Sequence, residues 1–362
     1  MMYNFRNFTN VANFVFGQGS FNQLGAILKQ RRKPTSAFFI FFVDDVFKGE
    51  ALAQKIPLQG QDTIVWISAQ EEPKTSTVDL ITQQIHDDFN TLPTGVIGIG
   101  GGTLMDYAKA ISLTLTNPGS STQYQGLDLI KNKGVWCACI PTLSGTGAEV
   151  SMTAVLSGPE KKLGIKCDYT VPDQIILDPE LTKGVPPHQR FYTGMDCYIH
   201  AVEALTGYCS NALGDAYGEK SLALCRDVFL NHENSYAPEV NEKLMIASYL
   251  GGLSLTYAQV GVCHALSYGL SHVLKYPHGI ANCICLNQLE DYYGDAVSTF
   301  HQMVEQHQIP IPQHITKALP EEKLVALAKV AYDLDHMWLH ALGKDWKAKM
   351  TLEKLVDLYA RL

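Results

Sequence analysis

The 362-residue sequence lacks a long apolar run and a cluster of basic residues. Its apolar runs, such as those at 37–43 and 135–140, are the length of a strand, far short of the roughly 18 residues that would suggest a membrane span. The net charge is −8, whereas a nucleic-acid-binding surface needs clustered lysine and arginine. We therefore expect neither membrane nor nucleic acid as a partner.

A disulfide framework is also missing. The nine cysteines are an odd number and are scattered without a C-x-x-C pair, which in a chain of this length argues against a set of structural disulfides. The opening residues contain neither an apolar segment nor a small-residue cleavage site of the kind found in secretory signals. We expect a cytoplasmic protein with reduced thiols.

Strands and helices alternate in the first half of the sequence. Apolar strand patterns are followed by turn residues and amphipathic segments, which is typical of an open, mainly parallel α/β sheet. The strands are expected at 11–16, 37–43, 64–67, 95–99, 135–140 and 175–177, with helices at 77–89 and 104–115 and an earlier one closed by Pro34. From about residue 184 the apolar spacing becomes three and four, which predicts helices throughout. We predict an α/β domain at 1–184 and an all-helical domain at 185–362.

A pair of metal-binding residue types lies in the second half. Asp196 and His200 are four residues apart in a segment with helical spacing, so both side chains are expected on one face of a helix. His264 and His278 lie some sixty residues further on and would complete a set of four ligands. One carboxylate and three imidazoles suit a divalent metal such as iron(II) or zinc, and the residues alone do not choose between the two.

Features of a nucleotide site follow three of the predicted strands. The glycines at 100–102 and Thr103 open a helix, where free backbone N–H groups favour a pyrophosphate. Asp106 in the first turn of that helix either belongs to the site or only complements the helix dipole. The loop at 142–147 adds hydroxyls, and Asp44 at a strand end is placed to bind ribose and to repel a 2′-phosphate, which favours NAD over NADP. The G-x-G-x-x-G fingerprint is absent.

Taken together, these motifs resemble the iron-containing (group III) alcohol dehydrogenase family, which is related in fold to glycerol dehydrogenase and dehydroquinate synthase. The similarity covers nearly the whole sequence, and its motifs run in the family's order. They are IGGGTLMDYAKAI at 99–111, PTLSGTGAEVS at 141–151, VPDQIILDPELT at 171–182, GMDCYIHAVEAL at 194–205 and PHGIANC at 277–283.

The resemblance implies specific site residues and a homodimer. The family's four metal ligands fall on Asp196, His200, His264 and His278. Its nucleotide contacts fall on Asp44, Gly101, Gly102, Thr103, Thr142, Leu143, Thr146, Lys162 and Leu181.

The sequence departs from the family pattern near the third ligand. The family commonly has a second histidine four residues after that ligand, but this sequence has Tyr268 there. A phenol keeps a hydrogen-bond donor but is not a base at neutral pH, which puts a proton-relay role at this position in doubt. His272, one helical turn further on, is a candidate substitute. The closing segment and the compact length resemble a branch that oxidises the terminal hydroxyl of a sugar acid, such as 3-deoxy-octulosonate 8-oxidase.

The expected activity is metal-dependent hydride transfer between a primary alcohol and NAD. A lyase of the dehydroquinate synthase kind is an alternative, although the basic residues that such chemistry needs are sparse between 184 and 300. A non-catalytic metal- or nucleotide-binding protein is a second alternative. An oxidase that retains its nicotinamide is a third.

Overall fold

The computed structural model describes residues 8–32, 37–232 and 235–362, so the helix end expected at Pro34 lies outside the described residues. Two compact units are present. An α/β unit contains the described residues up to 143 together with 148–184, and a helical unit contains 144–147 together with 185–362. Whether residue 184 ends an independently folding domain stays a prediction.

The core of the α/β unit is a parallel sheet. Within the described residues it has six strands in the order β1-β9-β6-β4-β2-β3, and every neighbouring pair is parallel. Strands β2 and β4 are buried along their whole length, as expected for strands covered on both faces. The open parallel sheet predicted from the sequence is confirmed. The strands are β1 (Asn13–Phe16), β2 (Phe39–Asp44), β3 (Thr63–Ile67), β4 (Gly95–Gly100), β5 (Gly126–Leu127), β6 (Trp136–Pro141), β7 (Thr153–Ser157), β8 (Lys162–Lys166) and β9 (Gln174–Leu177).

A small second sheet joins β5, β8 and β7 in that order, with β7 and β8 antiparallel. The sequence pattern does not predict this sheet. Strand β5 has only two residues, and β8 carries a lysine at each end and a glycine at its centre. Such short and polar segments give little periodic signal.

Helix α4 packs closely against β4. A Cβ at Gly98 would lie 2.9 Å from the Cβ of Ala108, so only glycine allows this approach. Nearly every residue of α4 is buried, including Lys109 at 1% exposure. The helices of this unit are α1 (Leu24–Arg31), α2 (Ala51–Gln54), α3 (Thr75–Asp88) and α4 (Gly102–Thr114).

The second unit is helical in its described part, as predicted from the apolar spacing. No helix among the described residues has the length and apolar character needed to cross a membrane. The helices are α5 (Pro187–Thr206), α6 (Ala212–Asn231), α7 (Pro238–Tyr257), α8 (Val262–Val273), α9 (His278–Leu286), α10 (Glu290–Tyr293), α11 (Asp295–Gln306), α12 (Glu321–Tyr332), α13 (Asp335–Leu342), α14 (Trp346–Lys349) and α15 (Leu352–Ala360).

The buried amine of Lys109 joins α4 to the chain segment that leads into β7. Its Nζ atom lies 3.2 Å from Asp106 Oδ1, 2.8 Å from the carbonyl oxygen of Ala148 and 3.2 Å from Ser151 Oγ. A buried amine is stable only when acceptors of this kind replace its water.

We expect Lys109→Met to lower the free energy of unfolding by about 3 kcal/mol, because it leaves the Asp106 carboxylate without its buried cation. Urea unfolding measures the change. The control is Lys133→Met, which removes an ion pair to Asp173 from a lysine side chain that is 63% exposed; it should change the free energy by less than about 1 kcal/mol. Equal effects of the two variants would contradict this account.

Candidate metal centre and nucleotide site

Helix α5 carries the first two predicted ligands. Its segment from Arg190 to Ala204 is continuously buried, because the helix runs through the interior of the helical unit. Asp196 and His200 are one turn apart, and Asp196 Oδ1 lies 3.5 Å from His200 Nε2. The sequence-based expectation that both lie on one helix face is therefore met by the geometry.

The other two histidines approach the same carboxylate oxygen from different helices. His264 on α8 brings its Nε2 to 3.4 Å from Asp196 Oδ1, and His278 at the start of α9 brings its Nε2 to 3.6 Å. The donor atoms of Asp196, His200 and His264 all lie within 4.8 Å of one another. His278 approaches this group at Asp196 Oδ1, and the centre of its ring is 5.3 Å from the centre of the His264 ring.

The spacing of these atoms fits a divalent metal. Ligands held at about 2.0–2.2 Å from a tetrahedral ion lie roughly 3.3–3.6 Å from each other, and the three distances from Asp196 Oδ1 span 3.4–3.6 Å. One carboxylate oxygen and imidazole nitrogens are ligands that iron(II) and zinc accept. The other nitrogen of the His200 ring, Nδ1, is buried and has no hydrogen-bond partner among the described residues.

Burial and neighbouring charges shift the pKa values of these side chains in opposite directions. Burial acts to raise the pKa of Asp196, but the facing imidazoles of His200, His278 and His264 outweigh it and hold that pKa well below its usual value. For His200, burial dominates and lowers the pKa to about 4. Asp196 is thus ionised and His200 is neutral near pH 7, the protonation states that a metal requires of its ligands.

Two further side chains contact the ligands. The Nδ1 of His264 lies 2.6 Å from Glu203 Oε2, and the amide of Asn282 donates to Asp196 Oδ1 at 2.7 Å. Both were missed by sequence analysis. Helical spacing was the available signal, since Glu203 follows His200 by three residues and Asn282 follows His278 by four.

The surroundings of His278 form the open side of the metal centre. Its side chain is 25% exposed, against 2–6% for the other three. Tyr268, one turn beyond His264, places its ring edge-on to His278 with 5.8 Å between centres. His272 lies in the last turn of α8. The catalytic roles predicted for Tyr268 and His272 stay predictions.

Most of the predicted nucleotide residues lie at one edge of the parallel sheet. The carboxyl ends of neighbouring parallel strands meet at that edge, where open α/β sheets bind ligands. Asp44 ends β2, and its buried side chain accepts a hydrogen bond from Val46 N; burial raises its pKa. Leu181 follows β9 and lines a cavity of about 230 Å³.

The glycine turn at 100–102 is in direct contact with the segment that follows β6. Thr142, just after β6, donates its backbone N–H to the carbonyl of Gly100 at 2.9 Å. A Cβ at Gly101 would lie 2.9 Å from the side chain of Leu143, so glycine allows the two segments to touch. Gly102 and Thr103 form the first turn of α4. The binding roles predicted for these residues stay predictions.

Two predicted nucleotide residues have structural partners in the α/β unit. Asp106 binds Lys109 and accepts from Val155 N at 3.0 Å, so its carboxylate already joins α4 to β7. Lys162 on β8 pairs with Glu72 at 3.0 Å and is 2% exposed. A role for either in cofactor binding stays a prediction.

Residues 144–147 of the loop at 142–147 group with the helical unit. The sequence pattern predicts the whole loop in the α/β domain. A Cβ at Gly145 would lie 1.7 Å from the carbonyl oxygen of Thr193 on α5, and one at Gly147 would lie 2.5 Å from Gly252 Cα on α7. Both glycines have positive φ angles, which other residues adopt rarely. Thr146 lies between them, and its predicted contact with the nucleotide stays a prediction.

Fold and site together define a protein with a parallel α/β unit and a helical unit that contains a cluster of one carboxylate and three imidazoles. Two family models match: iron-containing alcohol dehydrogenase over residues 12–179, and the C-terminal part of the Fe-containing alcohol dehydrogenase family over 190–343. Together they span most of the chain. The chain therefore belongs to the iron-containing alcohol dehydrogenase family, which confirms the predicted oxidoreductase class.

Curated relatives support this assignment. The chain is 32% identical to sulfoacetaldehyde reductase of Bilophila wadsworthia over 65% of its own length and 60% of the relative's. It is 28% identical to the NAD-dependent methanol dehydrogenase of Bacillus methanolicus over 75% of its own length and 71% of the relative's. The match to the first of these relatives thus covers less than two thirds of that protein.

Solved structures share the fold over nearly the full length. A 1,3-propanediol oxidoreductase matches with a TM-score of 0.83 at 20% identity, covering 98% of this chain and 99% of the other. Sulfoacetaldehyde reductase from Bifidobacterium kashiwanohense, in complex with NAD+, matches with a TM-score of 0.80 at 22% identity, covering 99% and 98%. The predicted architecture is confirmed.

We expect His264→Ala and His278→Ala to lower bound metal at least tenfold, because each removes one imidazole from the set around Asp196. Elemental analysis of the purified protein for iron and zinc measures this directly. His301→Ala, which alters an exposed histidine on α11, is the control and should leave the metal content unchanged. Full metal content in both variants would show that the cluster is not the metal site.

Proposed function

We propose that this chain is a metal-dependent, NAD-linked oxidoreductase that interconverts a small primary alcohol and its aldehyde. The observation that carries the proposal is the approach of three imidazole Nε2 atoms to Asp196 Oδ1 at 3.4–3.6 Å. These three distances match those between neighbouring ligands of a tetrahedral ion, and they occur in a chain of the iron-containing alcohol dehydrogenase family.

Asp196, His200, His264 and His278 would hold the metal. When bound, a divalent metal supplies Lewis-acid polarisation of the substrate oxygen. The burial of three of the ligands excludes water from one side of the centre and leaves access past His278. Tyr268 beside His278 offers a phenol that can donate a hydrogen bond to a substrate oxygen. With Lewis-acid activation, no strong base is required at that position, which agrees with the loss of the family's histidine there.

The nicotinamide cofactor would bind at the carboxyl edge of the parallel sheet. The N-terminus of α4 after Gly101 offers unpaired backbone N–H groups to a pyrophosphate. Asp44 would accept from the ribose hydroxyls and disfavour a 2′-phosphate, so we propose NAD over NADP. The relative named as an NAD-dependent methanol dehydrogenase and the NAD+ complex of the solved structure support this choice.

The substrate is proposed as a small primary alcohol or the matching aldehyde. The relatives are named for sulfoacetaldehyde, methanol and 1-propanol, all short molecules. The sugar-acid branch suggested by the closing segment stays a second prediction, as do a homodimer, a cytoplasmic location and the absence of nucleic-acid partners. The ligand set accepts either iron(II) or zinc.

The rival functions are weaker. The family models describe alcohol dehydrogenases over both units, which argues against a lyase of the dehydroquinate synthase kind. The complete ligand set argues against a non-catalytic remnant. An oxidase that retains its nicotinamide uses the same residues and differs only in how fast the cofactor leaves.

The direct test is a substrate panel. Short alcohols, diols and sugar acids, with sulfoacetaldehyde and other aldehydes for the reverse direction, are assayed with NAD and NADP after iron or zinc is restored. We expect reduction of NAD by at least one primary alcohol and no turnover once the metal is chelated. Turnover without change in nicotinamide absorbance in solution would indicate a retained cofactor, and the absence of any turnover would overturn the proposal.

We expect Asp44→Gly to shift the NAD-to-NADP ratio of kcat/KM toward NADP by about tenfold or more, because it removes a negative charge that would face the 2′-phosphate. Steady-state kinetics with both cofactors measure the ratio. Asp45→Gly changes the adjacent, exposed carboxylate and should leave the ratio within about twofold. An unchanged ratio in Asp44→Gly would remove this residue from cofactor selection.

A further inference from the structure

Glu203 lies behind the metal centre and contacts a predicted ligand directly. Its side chain is 0% exposed, and Oε2 is 2.6 Å from His264 Nδ1. The other oxygen, Oε1, accepts from the backbone N–H of Cys263 at 2.7 Å and from the hydroxyl of Tyr293 at 2.6 Å. Both oxygens of this buried carboxylate are therefore engaged by named donors.

The chemistry of the two groups decides where the proton of His264 lies. An ionised carboxylate accepts hydrogen bonds and donates none, and a neutral imidazole carries one N–H. The contact with Glu203 Oε2 therefore needs the hydrogen on Nδ1. When a metal replaces the proton on Nε2, which lies 3.4 Å from Asp196 Oδ1, that nitrogen would offer its lone pair to the ion while the hydrogen stays on Nδ1.

The placement of Glu203 also sets the orientation of the ring. Glu203 stands on α5 with Asp196 and His200, while His264 stands on α8. The hydrogen bonds from Cys263 N and Tyr293 fix Oε1, so Oε2 is the atom that faces the imidazole. We propose that Glu203 is a positioning residue that holds His264 in its Nδ1–H tautomer, with Nε2 free to bind the metal. This inference rests on the proposed metal-dependent function.

Glu203→Gln is the sharpest test because it keeps the shape of the side chain and replaces one of its two acceptor oxygens with a donor. If the new amide oxygen continues to accept from Cys263 N and Tyr293, the NH2 group must face His264 Nδ1, which then has to give up its hydrogen. The reverse orientation places the NH2 group against the N–H of Cys263. The first arrangement opposes the tautomer that binds metal, and the second sets two N–H donors against each other and weakens the hold on the ring. We therefore expect affinity for zinc, measured by competition with a chelating dye, to fall by about 10- to 100-fold.

Tyr293→Phe is the matched control. It removes one hydrogen bond from the same carboxylate but keeps the acceptor that faces His264, so zinc affinity should stay within about threefold of the parent. A Glu203→Gln protein that binds zinc as tightly as the parent would overturn the inference. So would an equal loss in both variants, because a general loosening of the site would then explain the result.

A second measurement needs no variant and remains available if Glu203→Gln does not fold. In the zinc-loaded parent protein labelled with ¹⁵N-histidine, NMR should show His264 with a hydrogen on Nδ1 and the metal on Nε2. A bare Nδ1 would overturn the inference. Neither readout uses a substrate. A protein that gives both expected results yet oxidises no alcohol would refute the proposed function alone, whereas a parent that binds neither zinc nor iron would refute both.

Discussion

The placement of one ionised carboxylate in a water-poor interior is the constraint on which the helical unit depends. Asp196 is 2% exposed, and an isolated buried carboxylate is strongly destabilising unless charge or hydrogen bonds replace its water. Three imidazoles and the amide of Asn282 surround it within hydrogen-bonding or near-contact distance. The helices that supply these groups must therefore pack in a fixed register, because a shift of one turn would leave the carboxylate alone.

A second buried carboxylate, that of Glu203, contacts one of the imidazoles around Asp196. One oxygen of the Glu203 carboxylate contacts His264 Nδ1, and the other accepts a hydrogen bond from the hydroxyl of Tyr293. Burial and Glu203 act oppositely on His264: burial lowers the pKa of this histidine, but the charge of Glu203 and the hydrogen bonds to Asp196 and Glu203 raise it to about 9. A positive charge on His264 is thus favoured by the carboxylates of both Asp196 and Glu203. Glu203, which is not among the predicted ligands, therefore adds negative charge next to them.

The parts of this protein that were predictable from sequence are those with strong periodic or spaced signals. The continuous apolar runs of β2 and β4 predict buried parallel strands, and the four-residue spacing of Asp196 and His200 predicts a shared helix face. The small sheet of β5, β7 and β8 was missed because β5 has only two residues and β8 has a lysine at each end and a glycine at its centre, so neither gives a clear periodic signal. Glu203 was missed for another reason: its partner His264 is sixty-one residues away along the chain, and a single sequence does not reveal which distant side chains meet. The loop at 144–147 groups with the helical unit through the packing of Gly145 on α5 and Gly147 on α7, and a single sequence gives no signal for such tertiary contacts.

The four predicted ligands do not distinguish one alcohol from another. The family includes relatives named for sulfoacetaldehyde, methanol and 1-propanol, so the same reaction type serves molecules of different charge and size. A metal polarises any substrate oxygen in the same way, and discrimination must therefore come from contacts to the rest of the molecule. In the helical unit the exposed side of the centre is at His278, and Tyr268 stands beside it. Under the proposed function, Tyr268, at the position where the resemblance implies a histidine, would contact the part of the substrate that lies beyond the reacting oxygen.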